Sequence, residues 1–194
     1  MKQSNLKAKD DRMKKLVRLI FKYFGWQMIY PLPEPQKSVI CLAPHTSNWD
    51  FVIGELSYWS IGRKASFLIK KSWFVFPLNF FFKSLGGIPI DRSKRNSLTL
   101  QMIDKFQELD SFHLVITPEG TRSHVTAWKK GFYYIALEAN VPIQLSYIDY
   151  KKKELGIAKI FYPTGNIDAD FQEIQNFYEN VQPKYPEKYN KKIF

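Results

Sequence analysis

A single α/β domain, with a mostly parallel or mixed sheet flanked by helices and preceded by an amphipathic N-terminal helix, is what this chain predicts. Three observations carry that expectation. Apolar runs without alternation, at residues 39–43 and 112–116, read as strands buried on both faces. Helical stretches separate the strand-like runs, the alternation that builds parallel sheets. Two polar clusters, His45-Thr46-Ser47-Asn48-Trp49-Asp50 and Thr117-Pro118-Glu119-Gly120-Thr121-Arg122-Ser123, each follow such a run directly. They therefore stand at strand ends, where α/β folds place their chemistry. At 194 residues and 45% hydrophobic, the chain can build one substantial core.

Taken in order, residues 1–11 are polar and lysine-rich and are expected to fray. From Asp11 to Tyr30, apolar side chains recur at Met13, Leu16, Val17, Ile20, Phe21, Phe24 and Met28. That spacing of three and four makes one helical stripe, and Lys14, Lys15, Arg18 and Lys22 fall mostly off it. Two readings stay open: an ordinary helix packed on the core, or a basic, aromatic-rich helix lying in a membrane interface. Pro31-Leu32-Pro33-Glu34-Pro35 ends the helix and makes an extended linker. Residues 1–35 thus read as helix and linker, 36–182 as the domain that holds the chemistry, and 183–194 as a C-terminal tail.

Within the domain, 39–43 is the first buried strand, with Cys41 as plain core, and 50–61 is helical in pattern. Residues 65–69 form a short strand ending in Lys70-Lys71. Residues 73–82 are the most apolar segment, too short to span a bilayer and broken by Pro77. Residues 86–92 turn into another short strand, 96–109 make an amphipathic helix, and 112–116 make a buried strand. Residues 129–139 are helical and stop at Asn140. Residues 141–150 and 155–161 form a hairpin around Lys151-Lys152-Lys153, and an acidic helix covers about 168–181.

The net charge of +11 points to a polyanionic partner: nucleic acid, an anionic membrane, or acidic small molecules and carrier proteins. Aromatics at 16%, with 16 Phe and 5 Trp, fit a membrane interface at least as well as nucleic acid. No basic recognition helix or known nucleic-acid motif accompanies the charge, so no nucleic-acid partner is expected. The single cysteine excludes an internal disulfide framework and suits a reducing cytoplasm. No stretch reaches the roughly eighteen apolar residues of a spanning helix, and no signal-peptide pattern is present, so membrane contact is expected to be peripheral.

His45 sits where an apolar strand stops and is poorly placed for a core role. Ser47-Asn48-Trp49-Asp50 has the capping-box pattern, so Asp50 reads as a helix cap. A carboxylate held there can also receive the imidazole N–H and leave the other ring nitrogen to take a proton from a hydroxyl. His113 and His124 show no ligand spacing with His45, so no metal is expected. Glu119-Gly120-Thr121-Arg122 reads either as a turn with a local ion pair or as an anion clamp. For the clamp, Gly120 admits a close ligand, Arg122 offers a planar fork, and Thr121 and Ser123 add hydroxyls. Arg92 is a second phosphate-ligand candidate. No Walker loop, GxSxG elbow or GxGxxG fingerprint occurs. An acid–base pair beside an anion clamp suggests group transfer to a phosphate-bearing substrate.

In this order the clusters resemble the glycerolipid acyltransferases of the 1-acylglycerol-3-phosphate acyltransferase type, over roughly residues 43–143. His45 and Asp50 match the His-x4-Asp signature. Gly86 through Arg92 is similar to the second block, Pro118-Glu119-Gly120-Thr121-Arg122 to the third, and Val141-Pro142-Ile143 to the fourth. The resemblance implies transfer of a fatty acyl group from acyl-coenzyme A or acyl-acyl-carrier protein to a hydroxyl of a lysophospholipid, without a covalent acyl-enzyme. It makes His45 the general base and Asp50 its orienter. Glu119, Gly120, Thr121, Arg122 and Arg92, with Gly86 in the second block, would bind the acceptor, and Val141-Pro142-Ile143 would help line the acyl site. No cofactor beyond the thioester donor is implied, and the expected location is the cytoplasmic face of the cell membrane. Pro44, Pro89 and Thr117 depart from the family's usual residues and mark a divergent, short subgroup. Another lysolipid or an aminolipid as acceptor, and a non-catalytic lipid-binding module, are the competing readings.

Overall fold

The computed structural model of the chain describes residues 2–30, 33–90, 95–191 and 194. Among them, seven strands form one sheet: β1 (Gln27–Ile29), β2 (Lys37–Leu42), β3 (Ser66–Lys70), β4 (Gly87–Ile90), β5 (Phe112–Ile116), β6 (Ile143–Asp149) and β7 (Glu154–Phe161). Their order across the sheet is β1-β7-β6-β2-β5-β3-β4. β2 pairs in parallel with both β5 and β6, and β3 in parallel with β5 and β4. The excursion is the antiparallel β6–β7 hairpin, with β1 added parallel to β7. The C-terminal ends of β2 to β6 therefore share one edge, as the alternation of strands and helices predicts.

Helices cover both faces. On β2, Val39, Cys41 and Ala43 point into a core with Phe132, Leu145 and Tyr178, on the side of α4 (Arg95–Glu108), α5 (Gly131–Glu138) and α6 (Ile167–Tyr178). Ile40 and Leu42 point to the other face, where they join clusters with Tyr58 of α2 (Asn48–Ser60) and Phe21 of α1 (Lys2–Tyr23). This two-sided burial is why the run lacks alternation. Cys41 is wholly enclosed and its thiol is pushed up by burial, in keeping with a core role.

The N-terminal segment differs from expectation at both ends. The helix already runs from Lys2, where fraying was expected, and stops at Tyr23 rather than Tyr30. Gly25 then takes φ +77°, and Gln27–Ile29 becomes an edge strand against Glu154, Leu155 and Gly156. The spacing from Phe24 to Met28 is compatible with a helix, but β7 offers an unpaired backbone edge, and that ladder wins. Among the apolar side chains described on α1, Phe21 is buried and Val17 half-buried. Met13, Leu16, Ile20 and Phe24 of the predicted stripe remain exposed. Of the predicted linker, Pro31 and Leu32 lie outside the described residues.

The apolar 73–82 segment follows β3 through a short 3-10 turn (Lys71–Trp73) into α3 (Leu78–Ser84). Phe74 and Phe82 are half-buried against each other, but Trp73, Phe76, Phe80 and Phe81 stay in solvent, Phe76 being 83% exposed and Phe80 66%.

Candidate active site

Two strand ends supply the site. β2 stops at Leu42, and Pro44, joined to Ala43 by a cis peptide bond, leads to His45. α2 then starts under a full capping box. The Ser47 hydroxyl accepts from Trp49 N–H at 3.1 Å, and the Ser47 N–H donates to Asp50 Oδ2 at 2.8 Å. The Thr46 N–H donates to the same oxygen at 2.8 Å. The same capping oxygen, Oδ2, also faces His45 Nδ1 at 3.3 Å. The other oxygen, Oδ1, accepts the Tyr150 hydroxyl at 2.7 Å.

These contacts set the electrostatics. Burial alone would raise the Asp50 carboxyl, but donors from His45, Tyr150 and Ser47 hold it below the usual carboxylate range. The Tyr150 phenol is pushed up by burial and by its hydrogen bond to Asp50, so it stays a donor. His45 is 16% exposed along its side chain, and its Nε2 has no hydrogen-bond partner among the described residues. An imidazole whose Nδ1 lies 3.3 Å from a carboxylate, with no hydrogen bond formed there, and whose Nε2 is open can serve as a general base once Nδ1–H turns onto that carboxylate.

The second cluster joins the first through one buried acid. β5 ends at Ile116, and Glu119 accepts the His45 N–H at 3.0 Å on Oε1 and 3.2 Å on Oε2. Burial raises its carboxyl to about 7. Gly120 sits at φ +67°. A Cβ there would come within 2.6 Å of Lys129 Nζ, so the glycine makes room for that lysine as well as the turn. Thr121, Arg122 and Ser123 are exposed, and the Arg122 guanidinium donates to Asn48 Oδ1. Arg122 thus stands over the start of α2, beside the His45–Asp50 loop.

Not every predicted residue comes to this edge. Gly86 lies at the start of β4, at the opposite end of the sheet, where a Cβ would meet Ala65 O at 2.6 Å. Val141, Pro142 and Ile143 enter β6 at that same far end, buried, with Pro142 O accepting the Val39 N–H. Arg92 lies outside the described residues.

Tyr150 was not foreseen, and neither were three tail residues. The tail meets the site through the Tyr185 N–H, which donates to Thr46 Oγ1 at 3.3 Å. Lys184 Nζ lies 5.4 Å from the ring centre of Trp49 and 5.9 Å from that of Tyr150. A polar pocket of about 310 Å³ opens between Thr46–Trp49, Arg122, Tyr185 and Lys188. The one signal for Tyr150 is its place just after β6, which finishes on this edge beside β2.

Comparison with known proteins accords with this site. The family model described as Acyltransferase matches residues 25–148, which include both clusters. No curated protein matches the sequence. Among solved structures, the crystal structure of the 1-acyl-sn-glycerophosphate (LPA) acyltransferase PlsC from Thermotoga maritima is similar, with a TM-score of 0.61 and 18% identity. The match covers 91% of this chain and 79% of that one, and at this identity it speaks for the fold.

Proposed function

The chain belongs to the acyltransferase family, and from that premise we propose that it moves a fatty acyl group from a thioester donor to a hydroxyl of a lysophospholipid. The favoured acceptor is 1-acylglycerol-3-phosphate, which would give phosphatidic acid. The observation that carries this reading is the His45–Asp50 pair with Nε2 open, joined through Glu119 to the turn that holds Arg122.

In this mechanism the acceptor hydroxyl donates its proton to His45 Nε2 as its oxygen attacks the thioester carbonyl. The imidazolium that forms is stabilised by Asp50 at Nδ1, and Asp50 is itself fixed by Tyr150, Thr46 and Ser47. The new C–O ester bond forms, the C–S bond breaks, and the thiolate of coenzyme A or of the carrier protein leaves and takes the proton back from His45. Arg122, with Arg92 as a second candidate, holds the acceptor phosphate, and Glu119, Gly120 and Thr121 shape the turn around its glycerol. The net charge of +11 favours the polyanionic donors as well as the acceptor.

The test is His45→Ala assayed with acyl-coenzyme A or acyl-acyl-carrier protein and lysophosphatidic acid. Removal of the base should lower the rate about 10²- to 10⁴-fold with the thermal midpoint held. Unchanged transfer would sink the assignment, and wild-type activity on a different lysolipid alone would move the acceptor.

The same reading places the protein peripherally on the cytoplasmic face of the cell membrane, whose lipids are anionic. Among the described residues no helix is long and apolar enough to cross a membrane. The exposed rings of Trp73, Phe76, Phe80 and Phe81, flanked by Lys70, Lys71 and Lys83, support surface attachment. Flotation on vesicles should show retention by phosphatidylglycerol-containing bilayers, weakened by Phe76→Ser with Phe80→Ser. Equal flotation of wild type and variant would remove this segment from the membrane contact.

A further inference from the structure

The last stretch of chain reads in sequence as a tail, yet it is pinned at several points. The Tyr150 N–H donates to Gln182 O at 2.9 Å, the Gln182 N–H to Asp149 Oδ2 at 3.3 Å, and the Tyr185 N–H to Thr46 Oγ1 at 3.3 Å. Val181 and Tyr189 bury themselves on either side of this stretch. Between those anchors, Lys184 and Lys188 are carried across the start of α2. Lys188 Nζ rides 4.3 Å from the ring centre of Tyr185, which braces it, and lines the same 310 Å³ pocket as Arg122.

Charge makes this wall unusual. No carboxylate among the described residues forms an ion pair with Arg122, Lys184 or Lys188. Arg122 and Lys188 line one polar pocket, Lys184 stands nearby over the Trp49 ring, and these three cations repel one another unless an anion joins them. A phosphate monoester carries about −1.5 to −2 charges at neutral pH, a match for two of the three. The remaining lining, Thr46–Trp49, adds hydroxyl and amide groups of the kind that bind phosphate oxygens.

We infer that the C-terminal segment is the second wall of the anion site, with Lys188 and Arg122 gripping one phosphate group from opposite sides and Lys184 adding to the field. This deepens the proposed function and rests on it for the source of the phosphate. That source is the acceptor's phosphomonoester or a phosphate of coenzyme A, and the two are separable by experiment.

The decisive variant is Lys188→Ala, an exposed position whose loss leaves the core untouched. Binding of sn-glycerol 3-phosphate and of coenzyme A is followed by titration calorimetry. KM is measured for lysophosphatidic acid and for acyl-coenzyme A. Lys64→Ala, just before β3 at the far end of the sheet, controls for bulk charge. Loss of one charged contact should weaken glycerol 3-phosphate binding and raise the lysophosphatidic acid KM about tenfold, with kcat and the acyl-coenzyme A KM unchanged. Lys188→Arg should restore most of the affinity. The same loss on coenzyme A instead keeps the phosphate site and assigns it to the donor. Wild type that binds glycerol 3-phosphate through Lys188 but transfers nothing to lysophosphatidic acid keeps the site and overturns the reaction. Binding of both ligands unchanged by Lys188→Ala, or weakened equally by Lys64→Ala, overturns the inference.

Discussion

The loop at 45–50 and the turn at 118–123 both follow parallel strands and meet at one edge, but they differ in how far their polar groups are committed. Asp50 has two backbone N–H donors and an imidazole on one oxygen and a tyrosine hydroxyl on the other. Glu119 is as deeply buried but is held mainly by one N–H, that of His45. Donors therefore keep the first carboxylate ionised, while burial raises the second to about 7. Beyond Glu119 the turn leaves Thr121, Arg122 and Ser123 in solvent. Proton transfer needs its base fixed before the substrate arrives, whereas binding needs donors still unfilled. In the proposed reaction the two loops would divide the work along that line.

Asp50→Asn attacks the committed half and should have the largest effect. An amide cannot accept on both sides, so either the Thr46 and Ser47 N–H groups or the Tyr150 hydroxyl meets an NH₂. The imidazole loses the charge that would stabilise its protonated form. The rate should fall by about 10²- to 10³-fold with the acceptor KM little changed. Stability should drop by about 1–3 kcal/mol, because buried donors lose a charged acceptor. The folded Asp50 carboxyl lies below its ordinary value, so its contribution is present above the unfolded pKa and is lost as pH falls through the folded one. The gap between wild type and variant in urea midpoint should therefore shrink in acid. A variant that lost affinity for the acceptor instead of rate would erase the distinction between the loops.

Much of this comparison is legible before folding, for local reasons. The capping box of Ser47 and Asp50 is a contiguous pattern, and the strand before it betrays its two-sided burial by lacking alternation. The hairpin around residues 151–153 and α6 are local too. What escapes is long-range. Gln27–Ile29 becomes a strand only because β7 offers it an edge. Tyr150 reaches Asp50 only because β6 lies beside β2 in parallel register, and nothing in the spacing from 50 to 150 encodes that. The motif matches at Gly86 and Val141–Ile143 sit at the far edge, since sequence order gives no hint of which strand end a block occupies. The tail lysines fail for the same reason, having no periodicity to mark them.

Glu119→Gln tests the less committed half and should show a smaller effect, visible in pH dependence. Glu119 is 5% exposed, and burial lifts its carboxyl from 4.5 to about 7. Between those values the folded state holds a proton that the unfolded state releases, so wild-type stability falls as pH rises through this window. Glutamine keeps an oxygen for the His45 N–H and carries no charge at any pH. Relative to wild type, the variant should gain up to about 2–3 kcal/mol between pH 5 and pH 8, with no further change below pH 4.5. Urea midpoints at pH 5 and pH 8 measure the difference directly. If the two proteins shift in parallel, Glu119 ionises as an ordinary carboxylate, and the opposed titration of the two acids disappears. If they diverge, the edge holds one acid kept charged for the imidazole and one that titrates near neutrality under the acceptor turn.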